Sequence, residues 1–245
     1  MVGACAACVA KMQRRLRRLT PHSLSGCARP ALRADCPVHL MMKSRLILAL
    51  SIAALAWPAG AANVAKTYSY FSIGGSTLEE IQQQLDVRGP QVKTTGRRHP
   101  GATQMEFTSR VGYAERDGGC AVAKANVTVK VKVILPRWTR PGRAEEDVKL
   151  VWDTLSSDIK RHEESHVVIA KNYARILEQA LQKIGKQRDC ASAQAKAKEV
   201  TQKILAKHDR AQVEFDRVEG INFERRIIRL LRYRMERIAN GQAPG

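Results

Sequence analysis

Residues 156–177 read "SSDIKRHEESHVVIAKNYARIL", with His162 and His166 four apart and Glu163 directly after the first. On an α-helix, positions i and i+4 share one face a turn apart, so two such imidazoles can grip a single ion. The flanking residues predict that helix. Apolar side chains fall at Val148, Val151, Leu155 and Ile159, then resume at Ile169, Tyr173, Ile176, Ala180 and Ile184. The steps of three and four are the period of a buried helical stripe. His162 and His166 fill its gap in phase, so both are expected to turn inward from a helix over about 143–184.

Zinc catalysis needs neutral imidazole ligands, an open coordination position and a carboxylate beside it. HEESH supplies the types at the spacing: His162 and His166 as ligands, and Glu163 as a general base that does not bind the ion. The competing reading is an ordinary charged helix. It would leave two buried histidines and a carboxylate without partners, which is costly, so the metal site is favoured.

"GKQRDCA" (185–191) reads as a turn, and a second helix follows over about 192–237. In an antiparallel hairpin rising about 1.5 Å per residue, residue 164 lies level with about 212. The third ligand is then sought among His208, Asp209, Gln212 and Asp216. Glu219 is two turns off level and reads as a solvated charge. His99 lies in a polar loop and is set aside.

Upstream, "KTYSYFSIGG" (66–75) reads as a strand and turn. "STLEEIQQQLDVRGP" (76–90) reads as a short helix with Ser76 as its cap and Glu79 three positions on, stopped by Gly89 and Pro90. "ATQMEFTSRVGY" (102–113) and "CAVAKANVTVKVKVILP" (120–136) alternate like paired strands, with Val127, Val129, Val131 and Val133 on one face. The expected fold class is therefore α+β. A small antiparallel sheet with a short helix precedes a long C-terminal helical hairpin carrying HExxH, in a single domain over 62–240.

The amino terminus bears on location. From Met42 the chain reads "MKSRLILALSIAALAWPAGAANVAK". Lys43 and Arg45 precede an apolar run from Leu46 to Trp57, and small residues follow at Ala59–Ala61, the pattern of an export signal over 42–61. Residues 1–41 then read as a mis-assigned start or a disordered leader, and the expected location is periplasmic or secreted. The formal charge of +19 suggests nucleic acid at first. Residues 1–61 carry nine Lys/Arg and one Asp, which leaves +11. Export argues against a specific nucleic-acid partner and admits an anionic envelope polymer or membrane surface. Four of the six cysteines (Cys5, Cys8, Cys27, Cys36) also lie in that segment. Cys120 and Cys190 remain, an even pair expected to form a disulfide in an oxidising compartment.

"RHEESHVVIAKNYARIL", "LPRW" before it, "GC" entering the valine-rich strand and "DC" between the helices together resemble a bacterial family of predicted secreted zinc-dependent proteases, from about Tyr68 to Asn222. The resemblance implies export, zinc, peptide-bond hydrolysis on a peptide or protein substrate, and the cysteine bridge. Its aromatic-Asp pair in the last helix matches Phe215 and Asp216, which makes Asp216 the first choice of third ligand and His208 the second. The family pattern continues with Thr and His-Gly where this chain has Glu219, Ile221 and Asn222. A different class of function stays open beside hydrolysis: a catalytically weak or inactive zinc-binding protein that docks on anionic envelope polymers.

Overall fold

The computed structural model describes residues 63–92 and 96–243. The segments read above as a leader and an export signal, with the first four cysteines, lie outside them. The elements run β1 (Asn63–Ile73), α1 (Leu78–Arg88), β2 (Gln91–Val92), β3 (Arg97–Arg98), β4 (Ala102–Arg116) and β5 (Gly119–Trp138). A 3-10 turn (Pro141–Arg143) then leads to α2 (Glu146–Gln182) and α3 (Cys190–Ala239). The fold is α+β, as its two kinds of periodicity predict.

β4 and β5 form a hairpin through Asp117 and Gly118, both at positive φ (51° and 74°), the backbone a tight two-residue turn requires. The sheet order is β1-β5-β4, and β1 pairs with β5 in parallel over Asn63–Ile73 and Thr128–Trp138. The β4–β5 pairing is antiparallel as expected, and the parallel β1 corrects the rest, making the sheet mixed. Val127, Val129, Val131 and Val133 are buried in the core, on the central strand.

Among the described residues β1 pairs with β5 from Thr128 onward, and helix side chains and a loop bond the earlier part of β5. Glu178 Oε2 accepts from Val127 N at 2.8 Å, Gln182 Nε2 donates to Ala125 O at 3.2 Å, and Gln187 exchanges two backbone bonds with Cys120. The Cys120–Cys190 disulfide (Cα–Cα 4.9 Å) ties the same place to the start of α3. The hairpin turn is thus fastened to the sheet, and the direction of both helices follows from it.

Helix α1 is capped by Thr77, whose hydroxyl accepts from Glu80 N at 3.2 Å while the Glu80 carboxylate reaches back to Ser76 N and Thr77 N. The capping box therefore lies one residue later than the Ser76–Glu79 pair. In α2 the C-terminal stripe is also rotated by one residue. Ala170, Ala174, Leu177 and Leu181 are fully buried, whereas Ile176 is 41% exposed. Alanines let the helix backbone approach the neighbouring layers, and counting only bulky residues missed them.

Candidate metal centre

Antiparallel packing of α2 and α3 sets the site. Arg234 meets Thr154, Arg226 meets Asp158, Asp216 meets His162, and Gln212 meets His166. The predicted level of 164 with about 212 is realised, and Asp216 follows one helical turn on from Gln212.

Three donor atoms converge there. His166 Nε2 lies 3.0 Å from Asp216 Oδ1, His162 Nε2 lies 3.3 Å from the same oxygen, and the two Nε2 atoms are 3.1 Å apart. Phe215 packs on both imidazoles at ring-centroid distances of 5.0 Å, stacked on His162 and edge-on to His166. Three lone-pair donors this close need positive charge among them, either protons on the imidazoles or a cation. Ligands about 2.0–2.1 Å from a tetrahedral zinc would be about 3.3 Å apart, so the donor set fits that ion in type and spacing.

The nitrogens turned away from this point are held as well. His166 Nδ1 lies 2.6 Å from Gln212 Oε1, which makes it the protonated nitrogen and leaves Nε2 to face the other donors. Gln212 Nε2 lies 2.9 Å from His208 Nε2, and His208 Nδ1 lies 2.9 Å from Asp209. His208 is buried between Phe107 and Tyr173 (centroids 4.9 and 5.6 Å). It therefore supports Gln212 and does not reach the donor cluster, so of the two candidates it is Asp216 that lies with the histidine nitrogens. On the other imidazole, His162 Nδ1 is 3.6 Å from Glu219 Oε2.

Glu219 is a correction. It is not solvated: its side chain is 18% exposed and ion-paired with both Arg161 and Arg226. Asp158, 3% exposed, pairs with the same two arginines at 2.9 Å each. Burial works against its ionised form, but the hydrogen bonds from Arg226 and Arg161 prevail and hold its pKa below the usual carboxylate value.

Glu163 is buried beside the donor cluster, and its burial pushes its pKa up, partly offset by a hydrogen bond from Thr103. The Thr103 hydroxyl donates to Glu163 Oε2 at 2.7 Å. Gly101 leans on the same side chain: a Cβ there would lie 2.8 Å from Glu163 Oε1 and 2.9 Å from Ile159 Cγ2. A larger residue could not sit there without displacing Glu163. His99 is half-buried, and burial lowers its pKa.

Charge follows the geometry. Burial opposes ionisation of Asp216, yet hydrogen bonds from His162 and His166 hold its pKa far below the ordinary range. Burial opposes the charged form of His166, and the bonds to Asp216 and Gln212 outweigh it and raise its pKa. Glu164 points elsewhere, bonding Lys66 Nζ at 2.7 Å and the Tyr68 hydroxyl, and so fastens α2 to β1. Thr103, Gly101 and Glu219 were not anticipated as site residues.

The family whose members are described as "Bacterial protein of unknown function (DUF922)" matches residues 68–224, and this chain belongs to it. No curated protein and no solved structure matches the chain.

Proposed function

We propose that this chain is an exported zinc-dependent metallopeptidase in which His162, His166 and Asp216 hold the ion and Glu163 is the general base. The observation that carries the proposal is the convergence of His162 Nε2, His166 Nε2 and Asp216 Oδ1 within 3.3 Å of one another, with the buried Glu163 beside them. Zinc held there supplies Lewis acidity, making a nearby water acidic near neutral pH and drawing charge from a carbonyl.

The chain's own residues supply the rest. A general base works better when its pKa is drawn up toward the working pH, and burial shifts Glu163 in that direction. Thr103 fixes its carboxylate, and Gly101 lets the preceding loop close over it. Gln212 fixes the orientation of His166. Asp216 is 56% exposed, so the cluster is open to solvent on the α3 side, where a peptide can approach.

The test is hydrolysis of a peptide library by the mature protein. Glu163→Gln is expected to keep its zinc and lose activity by a factor on the order of 10²–10⁴. Equal hydrolysis by the variant would show that Glu163 is not the base, and zinc-loaded wild type that cleaves nothing in the library would leave the alternative, a zinc-binding envelope protein that is not a peptidase.

A further inference from the structure

Beyond the family match, α3 becomes rich in arginine. Residues 225–243 hold arginines at 225, 226, 229, 232, 234 and 237 against a single acid, Glu236. Some of these face the body of the protein. Arg226 pairs with Asp158 and Glu219, and Arg234 reaches the hydroxyls of Thr154 and Ser157. Arg225, Arg229 and Arg232 are exposed on the other side of the helix from the buried Ile227 and Leu231. Arg225 donates to Asn222, and among the described residues Arg229 and Arg232 form no ion pair.

Apolar side chains are interleaved with these cations. Ile221, Ile228 and Met235 recur every seventh residue, and Arg225 and Arg232 repeat at the same interval, so all five share one stripe. On that stripe Ile221 is 66% exposed and Met235 is 40% exposed. A helix whose inner side packs on α2 has no internal use for an outer stripe of isoleucine, methionine and arginine.

We propose that this outward face of α3 docks the protein on the surface of an anionic phospholipid bilayer. Guanidinium groups bond phosphate in two-pronged fashion and keep their charge at any pH. The exposed Ile221 and Met235 can enter the interfacial layer between headgroups, the pattern of a helix lying in the membrane plane. No described helix is long and apolar enough to cross a membrane, so the contact is peripheral. A symmetric pairing of two such faces would set arginines against arginines, and a purely polar polymer would leave the apolar stripe in water. The proposal is independent of the chemistry at His162.

The test is co-sedimentation of the mature chain with vesicles of phosphatidylcholine alone and with 30% phosphatidylglycerol. Binding to the anionic vesicles, absent on the neutral ones and weakened by salt, is expected. Each arginine at a charged surface contributes roughly fivefold, so Arg225→Gln/Arg229→Gln/Arg232→Gln together should weaken binding on the order of a hundredfold. Lys124→Gln/Lys130→Gln/Lys132→Gln, on the exposed positions of β5, removes equal charge elsewhere and should retain most of the binding. The proposal is overturned by equal binding to both vesicles, by wild-type binding of the arginine variant, or by equal losses in the two triple variants. Tighter binding to a DNA duplex than to the anionic vesicles would overturn it too.

Discussion

The two ends of the α2–α3 hairpin are built from opposite materials. Near the turn, Ala170, Ala174, Leu177, Leu181, Ala193 and Ala197 pack around one buried carboxylate, Glu178, which is spent on the backbone of β5, and the disulfide fastens that end to the sheet. Toward the other end, the same two helices bury Asp158, Glu163, His166 and His208, with Glu219 and Gln212 bridging. Polar groups inside a protein cost free energy unless each is paired, and here nearly every one is paired with another side chain. One end holds the hairpin in place, and the other keeps a polar constellation in fixed geometry.

The largest effect that would sharpen this contrast is at the polar end. Asp158→Asn removes the charge shared by Arg161 and Arg226, and breaking a buried pair typically costs about 3–5 kcal/mol. The lower figure is expected, because Arg161 is 41% exposed and both arginines keep Glu219. The pH dependence follows from the sign of the shift. Asp158 titrates lower folded than unfolded, so its stabilisation is full above about pH 4 and fades as pH falls through the lower folded value. Melting temperatures of wild type and Asp158→Asn, measured with chelator present, should differ most near neutrality and converge only in strong acid. A gap that does not change with pH would contradict the charge account.

The comparison predicts the reverse profile at the apolar end. Leu177→Ala should cost about 2–5 kcal/mol in denaturant unfolding, a cavity penalty with no pH dependence. Zinc affinity should stay unchanged, because the residue lies nearly three turns from His166. A fall in affinity as large as the fall in stability would show that the two ends are one unit.

How much of this could be read in advance depends on how local each feature is. HEESH is a property of one helix, and the level of Gln212 and Asp216 follows from helix rise and an antiparallel turn. Both were therefore legible. Thr103 and Gly101 reach Glu163 from β4 and the segment before it, through a sheet register that no local pattern encodes. The parallel pairing of β1 was hidden for the same reason, since β5 enters between two strands that precede it. Glu219 was misjudged because its level was counted without its partners: Arg161 and Arg226 draw it onto His162. Phase errors arose where alanines carried the stripe, as at Ala170 and Ala174.

Glu164 marks the smallest expected effect and guards against overreading the motif. It is the second carboxylate of HEESH, yet it bonds Lys66 and Tyr68 at a partly exposed position. Glu164→Gln should cost under about 1 kcal/mol and leave both zinc content and hydrolysis close to wild type. A loss of activity comparable to that of Glu163→Gln would mean that the division of roles between the adjacent glutamates is wrong.

Metal content tests the central claim most directly. The mature protein, loaded with excess zinc, passed over a desalting column and assayed by atomic emission, should carry one zinc per chain. His162→Ala and Asp216→Ala, folded by circular dichroism, should each retain less than about a tenth of it, because two remaining protein ligands hold zinc poorly. Wild type that emerges without zinc, or His162→Ala that keeps its full complement, would contradict the account.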